Sequence, residues 1–407
     1  MDERQGRRNV FAAAAAGCIG FTGFTLVMPF LPLYIAELGT TDVGEIAMWT
    51  GLTLGATPTV TAISAPLWGR VGDKYGSKVL VIRSLTAFIL TKAGMAFVTA
   101  PWQLFALRAL LGVFAGYGAL TISMAAQSVP RERMSRAIGA VQTGHRLGPA
   151  IGPVIGGLLA PLVGLRNSFL FAAAFYAAAM VLVLVLYQDP PRQAAADTRR
   201  GGWEVFSHLL RLPGFVLALF VIFGLQTVDR SFGPVLPLFV AQVGVEPQRI
   251  PLVSGILFSL GAVAAALGSQ LAPRLLKRRS AKGVIVWGTA AAALAMAIIV
   301  AAPALWLVGV AMAAVGLAIG VATTTIYSVA GGLLPADAHA TGFGVMTTAS
   351  LIGLAVSPVV AGFIGGSGLR IVFVADVVLL VVLAVLVSRR LDAAQTPVPT
   401  AAPQAEG

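Results

Sequence analysis

Apolar stretches long enough to cross a lipid bilayer follow one another twelve times in this 407-residue chain. A helix needs about 20 apolar residues to cross about 30 Å of hydrocarbon. Windows of that size fall near 9–35, 44–68, 79–99, 102–127, 137–162, 167–188, 213–241, 252–272, 284–302, 304–329, 342–365 and 370–388. Membrane barrels instead alternate over segments of about 10 residues, so continuous runs read as helices. Composition agrees, with 57% apolar and only 11% charged residues, where a soluble domain carries about 25% charge. A cytosolic enzyme, a nucleic-acid-binding domain and a disordered protein are excluded together. A single cysteine, Cys18, allows no intrachain disulfide and no zinc cluster. The first window lacks a small-x-small exit and runs into Pro29-Phe30-Leu31-Pro32, so it reads as a span rather than a cleaved signal peptide.

Lysine and arginine placement sets the expected orientation, because cytoplasmic loops carry the excess. With the N-terminus inside, the outer loops hold only Arg166, Arg249 and Arg370. Lys92, Arg108, Arg146 and Arg230 fall well within spans, and the remaining basic residues, with Arg83 near the start of the third span, are counted as cytoplasmic. Both termini are therefore expected in the cytoplasm of a bacterium, with the chain in its inner membrane. The net charge of +12 is then a record of topology, with no nucleic-acid partner implied.

The chain also repeats itself. MPFLPLYIAELG at 28–39 aligns with GPVLPLFVAQVG at 233–244, pairing Pro29 with Pro234, Pro32 with Pro237 and Gly39 with Gly244. The same offset pairs Gly148 with Gly353, Pro153 with Pro358 and Gly157 with Gly362; an offset one shorter pairs Gly112 with Gly316. The expected fold is an all-α polytopic membrane protein with two pseudo-symmetric six-helix bundles, 1–188 and 213–390. A cytoplasmic linker at 189–212 would join them, with Trp203 and Phe206 anchoring a short amphipathic helix at 203–212. A disordered cytoplasmic tail is expected at 391–407. Parallel repeats of this kind are the plan of transporters that rock one half against the other around a midplane site.

Three motifs sharpen that expectation. Gly69-Arg70-Val71-Gly72-Asp73-Lys74-Tyr75-Gly76-Ser77-Lys78 lies between the second and third spans. Gly76 suits a tight turn with positive φ, Asp73 suits a helix N-terminus, and Lys74 and Lys78 hold the segment in the cytosol. The pattern resembles the loop signature of the major facilitator superfamily, departing from it at Ser77, where a basic residue is common. The resemblance implies a latch that holds the outward-facing state, made here by Gly69, Asp73, Lys74, Gly76 and Lys78. In the fourth span, Leu107-Arg108-Ala109-Leu110-Leu111-Gly112 resembles the family's second motif, whose buried arginine is implicated in proton coupling. The alternative for Arg108 is an arginine snorkelling to the outer interface. In the fifth span, Gly139, Gly148, Gly152-Pro153 and Gly156-Gly157 resemble the motif that marks drug:proton antiporters. Glycines at 148, 152 and 156 form a smooth stripe for close helix packing, and Pro153 removes one backbone hydrogen bond.

Over nearly its whole length the chain thus resembles twelve-span bacterial multidrug exporters of the drug:proton antiporter-1 type, in the major facilitator fold. The resemblance implies spans 1, 4, 7 and 10 around a cavity and spans 2, 5, 8 and 11 at the interface. It implies export of amphipathic small molecules in exchange for protons, by a chain that needs no partner subunit, metal or cofactor. Among the 16 acidic residues only Asp229 and Asp376 lie well inside spans. Asp229, in a cavity span, is the leading proton-coupling residue, with a static ion pair to a membrane arginine as the other reading. Arg230 follows it, but helix neighbours point about 100° apart, which argues against a shared spot. His145 is a relay candidate because imidazole titrates near neutral pH. For His145 and Arg146 alike, packing against the other half is the alternative. Asp376 and Lys92 are assigned to peripheral helices, as snorkelling groups. Phe21, Phe24, Thr25, Tyr117, Arg146, Gln226, Arg230, Phe232, Thr324 and Tyr327 are expected to wall a substrate site of aromatic faces and sparse polar groups.

Rival readings are weaker. No G-x-x-x-x-G-K-[ST] occurs, and the soluble segments are too short for a nucleotide domain, which argues against an ATP-driven pump. A membrane enzyme would want histidines and carboxylates clustered at one depth. A nutrient symporter would want a more polar cavity, whereas an exporter dedicated to one metabolite is hard to separate from a multidrug pump.

Overall fold

The computed structural model describes residues 3–189, 207, 209–334 and 339–391. The tail beyond 391 and most of the linker, Trp203 and Phe206 included, lie outside the described residues. Among the described residues there is no strand.

The spans run in order as follows. Span 1 is Glu3–Thr25 continued by Leu31–Glu37; span 2 is Val43–Tyr75; span 3 is Ser77–Met95; and span 4 is Pro101–Val113 continued by Tyr117–Gln127. Span 5 is Arg131–Val163 and span 6 Leu165–Leu186. Spans 7 to 12 are Pro213–Gln242, Ile250–Leu276, Ala281–Ala301, Leu305–Gly332, His339–Gly365 and Leu369–Arg390. Nine helices among the described residues cross by length and composition, with the two halves of span 4 counted together. Spans 1, 2 and 3 complete the twelve although they are less apolar. Span 3 carries Lys78, Arg83 and Lys92, and span 2 carries Thr50, Thr53, Thr57, Thr59 and Thr61. Those threonines remain compatible with lipid because Thr50, Thr59 and Thr61 donate to the carbonyl four residues back.

Local chemistry sets the ends. Pro101 and Pro213 open their helices, where a missing amide is harmless. Ser280 caps span 9 by accepting from the Gly283 amide at 3.2 Å. Gly76 turns the chain between spans 2 and 3 with φ 88°, as expected.

The sequence repeat is visible as repeated geometry. Gly39 and Gly244 both end their spans at positive φ, 101° and 91°. Gly112 lies against Thr57 of span 2, and its partner Gly316 against Gly261 of span 8. Gly148 lies on span 1 at Phe21 and Thr22, and Gly353 lies on span 7 at Phe223 and Gln226. The two units meet through spans 2 and 11 and through spans 5 and 8.

Two departures from the repeat bear on the site. Span 1 is interrupted at 26–30, while span 7, with the same proline spacing, is continuous. Span 4 is interrupted at Phe114-Ala115-Gly116, with Gly116 at φ 111°, while span 10 is one helix. Apolar windows average over such breaks and so read each as a single span.

Candidate functional site

The N-terminus meets the start of span 5 through Glu3 and Arg133 and the end of span 6 through Arg8; the alternation of spans puts the described basic loops on that same side, the basic face. Toward the other face, called the opposite face, the two units press together. A Cβ placed on Gly157 of span 5 would lie 2.5 Å from the Pro251 carbonyl oxygen of span 8. One on Gly55 of span 2 would lie 2.7 Å from the Ala355 carbonyl oxygen of span 11. One on Gly362 would lie 2.5 Å from the Ala47 carbonyl oxygen. Only glycine admits backbone this close. Toward the basic face spans 5 and 8 part, leaving a cleft of about 500 Å³ between Gly139, Gln142, Thr143 and Arg146 of span 5 and Val263, Leu267 and Gln270 of span 8.

Midway along the spans lies a second, inner cavity of about 280 Å³. Span 1 lines it with Phe21, Phe24 and Met28, span 2 with Leu54, Thr57 and Thr61, and span 3 with Phe88. Span 4 contributes Arg108 and the break at Ala115, Gly116 and Tyr117, and span 6 contributes Tyr176. The other unit supplies Arg230 of span 7 and Leu351, Leu354 and Pro358 of span 11. Aromatic walls with a few convergent polar groups suit an amphipathic ligand.

Of the expected wall, Phe21, Phe24, Tyr117 and Arg230 are brought together here with Arg108. Others go elsewhere. Thr25 is buried against span 5, its hydroxyl donating to the Phe21 carbonyl at 3.0 Å. Phe232 packs on Phe373 of span 12 at 5.6 Å between centroids, because it lies on the opposite side of span 7 from the cavity. Gln226 donates to Ser350 Oγ at 2.7 Å, and Tyr327 shares a hydrogen bond with the same serine. Neither Thr324 nor Tyr327 lines the cavity; span 10 packs chiefly on spans 8 and 9. Arg146 is exposed in the outer cleft instead. His145 is half-buried beside the cavity, its Nε2 2.9 Å from Thr121 Oγ1 and its ring 4.7 Å from Phe21.

The intramembrane charges need three corrections. Asp229 and Arg230 do meet: the arginine stem curls back so that Nε lies 3.1 Å from Asp229 Oδ2, both side chains 33% exposed. A 100° separation of adjacent Cβ atoms does not restrain so long a side chain. Asp376 is buried, not lipid-facing, and its Oδ2 lies 2.6 Å from the Ser231 hydroxyl. Lys92 is fully buried 5.8 Å from the Phe169 ring, and Arg108 is likewise buried rather than snorkelling, 5.8 Å from the Phe24 ring. Phe88 and Tyr176 were missed as wall residues, and Lys92 and Ser231 as buried polar groups. Lone polar groups at 92 and 376 in apolar helices were the available signal.

Span 5's glycines do what their spacing suggests. Side chains at 148, 152 or 156 would run into the backbone or side chains of span 1 at Phe21, Thr22, Thr25 and Leu26. Pro149, Pro153 and Pro161 sit inside an unbroken helix. Gly139 has nothing near it and opens on the cleft. In the loop motif, the helix of span 2 continues to Tyr75, so Asp73 lies in a last helical turn instead of at a helix start. The side chains of Gly69, Asp73 and Lys74 lie outside the described residues. Lys78 donates to the Tyr187 carbonyl at 2.7 Å, within its own unit.

Two paired units, a closed opposite face and an inner cavity match a known family. A sequence profile described as Major Facilitator Superfamily covers residues 13–349 and 232–406. The chain belongs to the Major Facilitator Superfamily. Among relatives of this superfamily chain, the Multidrug resistance protein MdtG of Yersinia enterocolitica is 35% identical over 270 residues, 66% of this chain and 64% of that protein. The chain thus spans just under two thirds of that relative's length. The Multi-drug resistance efflux pump PmrA homolog of Lactococcus lactis is 29% identical over 370 residues, 88% of this chain and 89% of that one. Among solved structures, a bacterial homolog of the human lysosomal transporter Spinster, inward-facing and occupied, matches with a TM-score of 0.78 at 16% identity, covering 98% of this chain and 100% of that one. The nucleoside transporter NupG matches with a TM-score of 0.71 at 16% identity, covering 94% and 100%. At such identities the likeness shows the fold. The family's members named here are transporters, not enzymes.

Proposed function

We propose that this chain is a secondary transporter that exports amphipathic small molecules across a bacterial inner membrane in exchange for protons. The observation that carries the reading is the pair of ends: backbone-tight at Gly157, Gly55 and Gly362, parted at the span 5–span 8 cleft. With the basic face assigned to the cytoplasm by its lysines and arginines, the arrangement is inward-facing, and both termini are cytoplasmic. Rocking the units about the inner cavity exchanges access. The names of the multidrug relatives and the glycine pattern of span 5 support export, and no partner subunit is needed.

Asp229, with Arg108 and His145, is assigned to proton coupling. The Asp229 carboxylate holds Arg230, which lines the cavity from the second unit. Protonating Asp229 ends that ion pair and leaves Arg230 to a substrate; substrate arrival and proton loss are then linked through one side chain. His145 bridges spans 4 and 5 beside Phe21, where a proton could pass toward the cleft. Gly69, Asp73, Lys74, Gly76 and Lys78 are assigned to the latch that must form when the basic face closes.

Inverted membrane vesicles with an acid interior provide the test. Accumulation of a fluorescent lipophilic dye, abolished by an uncoupler, is expected. Accumulation that persists with the gradient collapsed would refute proton exchange.

A further inference from the structure

The inner cavity contains a charge that no described residue balances. Arg108 lines it, is 1% exposed, and its Nε and Nη2 atoms have no hydrogen-bond partner among the described residues. A guanidinium remains charged in proteins, and leaving one buried and unpaired costs several kcal/mol. Lys92, one helical turn beyond the wall residue Phe88, is also fully buried with its Nζ unpartnered. Tyr176, a wall residue, has a buried hydroxyl in the same condition. Among the described residues no acid pairs with either cation: the carboxylates of Glu3, Glu37, Asp42, Glu45, Glu132 and Asp189 all lie in loops or near span ends. Asp229 is taken by Arg230, and Asp376 by Ser231.

The backbone adds to this excess. At the span 4 break, the carbonyl side is covered: Trp68 Nε1 donates to Val113, Arg83 and Ser84 donate to Phe114, and Ser64 donates to Gly112. On the amide side, the helix Tyr117–Gln127 starts at left-handed Gly116 with no side chain capping it, and Gly116, Tyr117 and Gly118 all line the cavity. A helix start presents free N–H groups and the positive end of the helix dipole. The pseudo-symmetric position in span 10 is unbroken helix. The first unit therefore has a feature that the repeat does not require.

From this we infer that the inner cavity holds a subsite for an anionic head group, a carboxylate, sulfonate or phosphate, with Arg108 as its principal partner. Tyr176 and the amides at 116–118 complete it, and Lys92 reinforces its potential. Phe21, Phe24 and Phe88 take the apolar or aromatic body attached to that group. The inference rests on the transport reading for its biological use, and it narrows the proposed amphipathic substrate to an anion. An anion here offsets the burial of the Arg108 charge, and charge-assisted pairing to a planar guanidinium is the strong kind of hydrogen bond.

Binding separates the subsite from transport. Protein in phosphatidylcholine nanodiscs is equilibrated by dialysis with three dansyl probes of matched length, ending in a carboxylate, a primary amide or an amine. The carboxylate is expected to bind at least about tenfold more tightly than the amide, a difference of about 1.4 kcal/mol, and the amine most weakly. Arg108→Gln should remove the preference, with the amide's affinity kept as evidence of a folded cavity. Should Arg108→Gln fail to fold, Lys92→Met, whose side chain is not in the wall, should reduce the preference several-fold. Nanodiscs containing phosphatidylglycerol distinguish the source: displacement of the probe identifies a lipid head group as occupant of the anionic subsite, and no displacement identifies a free solute. Equal binding of all three probes, or a preference unchanged in Arg108→Gln, overturns the inference. Selective binding without dye export in vesicles would leave the subsite standing and remove the export reading; export without selectivity would do the reverse.

Discussion

Replacing Gly157 by alanine adds one methyl group where the two units meet, and that should be enough to shift which way the protein faces. The added Cβ would lie 2.5 Å from the Pro251 carbonyl oxygen and 2.8 Å from Leu252 Cα. Both are backbone atoms of span 8, so no side chain can turn aside. Forcing an extra methyl into a tight contact costs about 1–3 kcal/mol. The cost applies only while the opposite face is closed, since parting spans 5 and 8 there removes the clash. The equilibrium between facing states should therefore move by roughly 5- to 150-fold toward opening at that face. Cys18 is the single cysteine, so a Cys18→Ser background accepts spin labels at chosen sites. Thr41 and Ser367 are exposed in the loops beside Gly44 and Gly366, which touch across the units. Double electron–electron resonance between labels at Thr41→Cys and Ser367→Cys should give a short distance in the parent and a longer component in Gly157→Ala. Gly139→Ala, with nothing near its Cβ, is the matched control and should leave the distribution unchanged. An unchanged distribution in folded Gly157→Ala, or an equal shift in the control, would refute the reasoning.

Three further outcomes follow from the same contacts. Gly152→Val should destabilise the first unit by more than about 3 kcal/mol, because its Cβ already falls 2.6 Å from the Thr22 carbonyl oxygen; loss of monodisperse protein on size exclusion would report it. Tyr117→Phe removes the hydrogen bond to the Ala16 carbonyl at 2.5 Å that ties span 4 to span 1. It should lower stability by about 0.5–1.5 kcal/mol, read as a fall in the thermal midpoint. Asp229→Asn should abolish uncoupler-sensitive export, whereas Asp376→Asn, which keeps a hydrogen-bond partner for Ser231, should retain most of it; the opposite ranking would move proton coupling to Asp376.

Much of the architecture could be read from the chain because a bilayer restricts what a long apolar run can be. Glycine spacing carried real geometry as well: Gly148, Gly152 and Gly156 lie against span 1, and Gly39 and Gly244 end equivalent spans. The site was harder to read because hydropathy and spacing record neither azimuth nor local dihedrals. Gly116 sits in an apolar stretch no different in character from Gly320, yet one breaks its helix and the other does not. Phe232 and Phe24 are similar side chains on repeat-related spans, but only Phe24 faces the cavity, Phe232 having Phe373 to pack against. Thr25 spends its hydroxyl on its own helix and presents nothing to a ligand. Lone polar residues were misread in the other direction, since Lys92 and Asp376 are among the most buried charges in the protein. Inside a membrane, an ionisable residue is better treated as functional until its surroundings are known.

Proton exchange for substrate is the central claim, and proton movement is its most direct measure. Purified protein would be reconstituted into liposomes containing a trapped pH indicator, with a transported dansyl carboxylate added on the side that the basic face occupies. Entry of the probe should drive protons outward, in fixed proportion to probe moved, and the Asp229→Asn variant should lose the proton signal. Probe entry with no change in internal pH, at any imposed gradient, would contradict the account.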